Sequence, residues 1–150
     1  MTAPTVTTEL VVDLVVAGGP ALPVTSRFEF RQDDPYAVAL HFLVDGEQDG
    51  DGSISADQTG GHWVTWTFAR ELLEEGITSP AGDGDVQIWP GVRDSARCAY
   101  LHTRSPHGAA TFVLSLTAVV EFLLSTYALV PSGTESDFLD LDSEIASLRA

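Results

Sequence analysis

Lysine and asparagine are both absent from this 150-residue chain, and its 7 basic residues are all arginine. The codons for both missing residues are AT-rich, so the bias reports a GC-rich genome, not a mechanism. Cysteine is nearly absent as well. Cys98 alone excludes an internal disulfide framework and a cysteine-rich zinc site, and a reducing, cytoplasmic setting is expected. The N-terminal residues run straight into an alternating pattern with no basic region ahead of them. No apolar stretch reaches the roughly 18 to 20 residues that a spanning helix needs, so neither export by a standard signal nor membrane insertion is expected. Positive charge is scarce: 22 acidic residues against 7 basic ones give a formal net charge of −15. A polyanion would meet net repulsion, which disfavours sequence-independent nucleic-acid binding. What is present suffices for one core, since 44% of positions are hydrophobic and 19% charged, and a single domain over 1–150 is expected.

Alternation of apolar and polar residues predicts strands over Thr5–Val16, Arg27–Arg31 and Tyr36–Val44, separated by Gly18-Gly19-Pro20, Pro23 and Asp34-Pro35. Residues 45–61 are acidic and glycine-rich, with the composition of a solvated loop, and β character resumes over His62–Phe68. A short amphipathic helix is expected between Phe68 and Glu75, with Arg70 and Glu74 as an i,i+4 pair and Gly76 as its stop. Shorter β runs follow at Val86–Trp89, Cys98–Leu101 and Thr111–Leu114, with a turn at Ser105–Gly108. Leu116–Tyr127 reads as a helix apolar on most sides, ended by Pro131, and Ser136–Ala150 as a C-terminal amphipathic helix. The fold class is α+β on antiparallel sheet, in two strand-meander-plus-helix halves without a residue-level repeat, plus that last helix.

No glycine-rich phosphate loop, dinucleotide fingerprint or zincin motif occurs, so an enzyme is not expected and no cofactor is implied. The segment Glu47 to Gln58 resembles an EF-hand loop through Asp49, Asp51, Gly52 and Ile54, with Glu47 and Ser53 completing the candidate ligands. Its twelfth position is Gln58, where a bidentate glutamate is needed, so a solvated acidic loop is the expected reading and any calcium affinity is expected to be weak. His41, His62, His102 and His107 fall on different strands and turns without ligand spacing. Ser105 and His107 read as turn residues, and Glu74-Glu75 as a solvated helix face. Trp63, Trp66 and Trp89 could stack bases, but a single-strand-binding sheet also needs a cationic groove. The long helix carries more apolar surface than one sheet face covers. Val119, Phe122, Leu123 and Tyr127 are therefore candidates for an oligomer or partner interface, with burial inside their own subunit the equal alternative.

Asp34–Val38, Trp66–Gly76 and Gly82–Pro90 together resemble the SsgA-like sporulation and cell-division proteins of actinobacteria. Ser105–Gly108, Phe122-Leu123 and Val130–Glu135 extend the resemblance over nearly the whole chain. It implies an antiparallel β architecture with helices, similar to the whirly single-strand binders and assembled as a trimer. The implied function is non-catalytic: an adaptor in sporulation-specific septation, located in the cytoplasm at division septa. Its implied partners are the tubulin-like division protein FtsZ, septal cell-wall machinery and other SsgA-like proteins. The alternative is a single-stranded nucleic-acid-binding module, which the net charge opposes. The 45–61 loop departs from the family, whose connection there is generally shorter.

Overall fold

The computed structural model describes residues 3–44 and 62–139. Four strands open the chain, β1 (Thr5–Leu14), β2 (Leu22–Arg31), β3 (Ala37–Val44) and β4 (His62–Ala69), and lead into α1 (Arg70–Gly76). Three more, β5 (Val86–Arg93), β6 (Ala96–Ser105) and β7 (Gly108–Ser115), lead into α2 (Leu116–Leu129), and a single 3-10 turn follows at Glu135–Phe138. All seven strands join one antiparallel sheet in the order β4-β3-β2-β1-β7-β6-β5. The α+β class, the meanders and the first two of the three predicted helices are therefore present. Of the expected C-terminal helix, Ser136–Phe138 lie in the 3-10 turn, and the rest falls outside the described residues.

The two halves repeat in register, not in identity. Phe28, Leu40 and Trp66 sit side by side across β2, β3 and β4, as Ile88, Leu101 and Phe112 do across β5, β6 and β7. One residue over, the rows read Arg27, His41, Thr65 and Gln87, His102, Thr111. Trp66 precedes the first residue of α1 by the same interval at which Phe112 precedes that of α2. Only the leucine, histidine and threonine match between these rows, which is why the repeat is not visible in the sequence.

Even-numbered residues of β1 and β2 face the core, where Val12, Phe28 and Phe30 are buried. Phe28 stacks on Phe122 of α2 at 4.6 Å between ring centroids, and Phe42 of β3 stacks on Phe112 of β7 at 4.2 Å. That second contact joins strands with two others between them, so the sheet curls around its core face. Ser115 caps α2, its hydroxyl accepting from the Ala118 N–H at 3.3 Å. Gly76 lets the end of α1 close on β5, because a Cβ there would lie 2.4 Å from Ile88 Cγ2.

Several strands exceed their predicted lengths. β5 runs through Pro90 and Gly91 because it is an edge strand, where proline's missing N–H costs no ladder bond. A two-residue hairpin follows, with Asp94 and Ser95 both at positive φ as a type I′ turn requires. Pro23 pairs opposite Asp13 near the start of β2 and does not break it.

Candidate functional site

Three features outside the plain core are candidates for function: a buried arginine, a polar ladder on the outer sheet face, and an apolar groove. Arg70, the first residue of α1, is buried at 2% exposure. Its Nη1 donates to the carbonyl oxygens of Thr126 (3.2 Å) and Val130 (2.9 Å), and its Nη2 donates to Glu135 Oε2 at 2.8 Å. The guanidinium also lies over the rings of Phe30 (4.8 Å) and Tyr127 (4.1 Å). This replaces the expected surface pair with Glu74. An exposed i,i+4 pair is worth about 0.2–0.5 kcal/mol, whereas here one side chain satisfies the orphan carbonyls at the end of α2. Glu74 instead accepts from the Tyr127 hydroxyl at 2.5 Å. Burial, reinforced by Glu74, pushes the Tyr127 phenol well above its ordinary pKa.

The Glu135 carboxyl is held below the usual range by its own backbone N–H, then by Arg70, with a further hydrogen bond from Gly133 N–H at 2.9 Å. A carboxylate whose folded pKa is depressed contributes stability above its unfolded pKa and loses it as pH falls through the folded value. Below about pH 4.3, the urea midpoint of the wild type should therefore fall more steeply than that of Glu135→Gln. Parallel slopes would remove this link.

On the outer face, His41 Nε2 donates to Glu29 Oε1 at 2.8 Å, and His41 Nδ1 lies 2.6 Å from Thr65 Oγ1. Carboxylate, imidazole and hydroxyl in that order resemble a nucleophile array. The repeat gives the simpler reading, because His102 Nδ1 meets Thr111 Oγ1 at 2.8 Å in the equivalent register position with Trp89, not a carboxylate, in the place of Glu29. Both are cross-strand polar pairs of the scaffold. Arg27 lies beside the first pair, over the Trp63 ring at 4.8 Å. Ser105 accepts from the His107 N–H at 3.2 Å, as a turn residue does. Among the described residues, no group of three or more His, Cys, Asp or Glu could hold a metal. The calcium-loop candidates Glu47, Asp49, Asp51 and Ser53 lie outside the described residues.

The groove occupies the end of the core face that the helices leave open, with a volume of about 910 Å³. Leu14, Leu22, Phe42, Val44, Val64 and Trp66 form much of its wall, and Thr103, Ser105 and His107 add hydroxyls and an imidazole. Among the described residues, no aspartate or glutamate lines it. Leu22, Val44 and Val64 are exposed at its rim. Sequence reading missed this surface because its rim residues look like ordinary strand ends, and only the curl of the sheet brings them together.

Val119, Phe122 and Leu123 are buried within the chain, in the core beneath α2. Tyr127 is half-buried and committed to Arg70 and Glu74. The large apolar residue that α2 presents to solvent is Leu124, 65% exposed.

Residues 24–135 match the family model described as Streptomyces sporulation and cell division protein, SsgA. The chain is 42% identical to the sporulation-specific cell division protein SsgB of Frankia casuarinae, over 95% of this chain and 90% of that one. It is 36% identical to the SsgB of Streptomyces coelicolor, over 97% and 96%. The crystal structure of an SsgA-like sporulation-specific cell division protein from Thermobifida fusca superposes with a TM-score of 0.79 at 36% identity, covering 98% of this chain and 97% of the other. A second structure was reported with SsgB mutations that correlate to longitudinal cell division during sporulation of Streptomyces coelicolor. It gives a TM-score of 0.78 at 34% identity, covering 93% and 98%.

Proposed function

Because this chain belongs to the SsgA family of sporulation and cell-division proteins, we propose that it is a non-catalytic adaptor of sporulation-specific septation, acting in the cytoplasm at division septa. It works by contact, helping to place FtsZ or the septal cell-wall machinery. The groove is the contact surface, and it receives an apolar segment of the division protein. The observation that carries this reading is that no carboxylate among the described residues lines the groove, on a body with net charge −15. An apolar recess rimmed by exposed leucine and valine is costly to leave in water and fits a polypeptide side chain.

The adaptor is a homo-oligomer, a trimer as the resemblance implies, and meets other SsgA-like proteins. It remains one domain interrupted by 45–61, a reading supported by β3 and β4, which flank that segment and pair along their whole lengths. Among the described residues no helix is long and apolar enough to cross a membrane, and we propose no direct insertion and no cofactor.

Co-sedimentation of the full chain with FtsZ polymers at physiological salt tests the reading, run beside a single-stranded oligonucleotide binding assay. Enrichment in the FtsZ pellet without oligonucleotide binding is expected. Oligonucleotide binding in the absence of FtsZ association would replace the adaptor by the nucleic-acid alternative.

A further inference from the structure

The second half of the sheet contains no acidic residue in any of its strands. β5, β6 and β7 carry Arg93, Arg97, Arg104 and His102 but neither aspartate nor glutamate. In β1–β4, by contrast, Glu9, Asp13 and Glu29 accompany Arg27 and Arg31. Arg27, Arg31 and Arg70 each have a carboxylate within 4 Å, and among the described residues none pairs with Arg93, Arg97 or Arg104. Three of the 7 basic residues of a strongly acidic chain are thus collected on one hairpin.

Alternation places Trp89 and Arg93 of β5 on the same outer face as Tyr100, His102 and Arg104 of β6, opposite the buried Ile88, Ala99 and Leu101. Gly91 shapes this face. A Cβ there would lie 2.4 Å from Tyr100 Cε2, so only glycine lets the tyrosine ring lie across β5. Trp89 stacks on that ring, 5.6 Å between centroids and 15° between planes, which makes a fixed aromatic platform. Arg93 pairs opposite Ala96, and Arg104 lies further along β6 by a distance of about 26 Å at ~3.3 Å per residue. Cations therefore stand at both ends of a strip whose middle is aromatic. Asp94 in the hairpin turn, Asp13 on β1 and Asp85, which stands opposite Arg104 and whose carbonyl accepts from the Arg104 N–H at 2.9 Å, border the face without standing between the two arginines, and none of these carboxylates comes within 4 Å of Arg93 or Arg104.

We propose that this face is a docking site for an acidic segment of a partner protein. The segment lies extended along β5 and β6, its apolar side chains on the Trp89–Tyr100 platform and its carboxylates at Arg93 and Arg104. Charge complementarity selects the occupant. A nucleic-acid strand brings a charge with every nucleotide and needs cations along its whole path, whereas here they stand only at the ends and the body behind them is anionic. An acidic peptide with an apolar centre matches the order of the strip. This surface lies on the opposite face of the sheet from the groove and stands whether or not the groove binds a division protein.

The test titrates the full chain with a synthetic decapeptide bearing two glutamates at each end around a central leucine-phenylalanine pair, followed by NMR. Shifts confined to Trp89, Tyr100, His102 and their neighbours are expected. Affinity should fall at least tenfold in the R93E/R104E variant and with the glutamine version of the peptide. The neutral R93Q/R104Q variant should fall between, and it serves if charge reversal perturbs folding. Absence of those shifts, equal affinity for the reversed variant, or tighter binding of a 12-mer oligothymidine would overturn the proposal. So would sedimentation in which charge reversal dissociates the wild-type oligomer, because a second copy would then own the face.

Discussion

Phe122→Asp should leave the chain unfolded, not merely dissociated. The ring is 1% exposed and stacked on Phe28 beneath the middle of α2. Removing a buried phenylalanine costs about 3–5 kcal/mol through lost burial and the cavity left behind. The carboxylate adds several kcal/mol for a charge without a partner in the core. Domains of this size are stable by only about 5–15 kcal/mol in total, so the sum removes most or all of the folded population. Leu124→Asp is the control: it lies two residues away on the exposed side of the same helix and should shift stability by no more than about 0.5 kcal/mol. Far-UV circular dichroism and sedimentation distinguish the outcomes, and a folded, monomeric Phe122→Asp would show that the stripe belongs to an interface after all.

Arg70→Met should destabilise the protein by about 3–5 kcal/mol in urea unfolding, the usual cost of breaking a buried ion pair from one side. Methionine fills much of the space but donates nothing to the Val130 carbonyl or to Glu135, and it removes the cation from between Phe30 and Tyr127. Glu135→Gln keeps a hydrogen-bond acceptor and should cost less, about 1–3 kcal/mol. The double variant should cost less than the two single losses combined, by about 1–3 kcal/mol, because neither charge is then left alone. Strict additivity would mean that the pair is not coupled. Arg70→Lys should fall between, since an ammonium keeps the charge but cannot present the guanidinium fork to three acceptors.

The strands were legible because period-2 alternation survives wherever one face is buried, and α2 because Leu116–Tyr127 is apolar at helical spacing. Strand ends were less so, since Pro23 and Pro90 stop a strand in isolation and are tolerated where the sheet leaves their missing N–H uncommitted. The role of Arg70 was not legible. Its nearest acidic neighbour in helical spacing is Glu74, whereas its actual acceptors lie 56 to 65 positions away and meet it only after α2 has packed. The groove and the basic aromatic strip are likewise products of register. Leu22, Val44 and Val64 come from three strands, and the Trp89–Tyr100 platform exists because Gly91 leaves room beside it. The absence of acids from β5–β7, by contrast, could have been read directly by computing charge strand by strand.

If this protein acts through contact at the apolar groove, FtsZ co-sedimentation with the Leu22→Asp, Val64→Asp double variant reads that contact. Both residues are exposed at the rim, so the fold should survive, and Val11→Asp, equally apolar and 61% exposed on the outer face, is the matched control. The double variant should lose at least nine-tenths of the FtsZ-bound fraction while Val11→Asp keeps it. Retention of wild-type binding by a folded double variant would contradict contact at the groove.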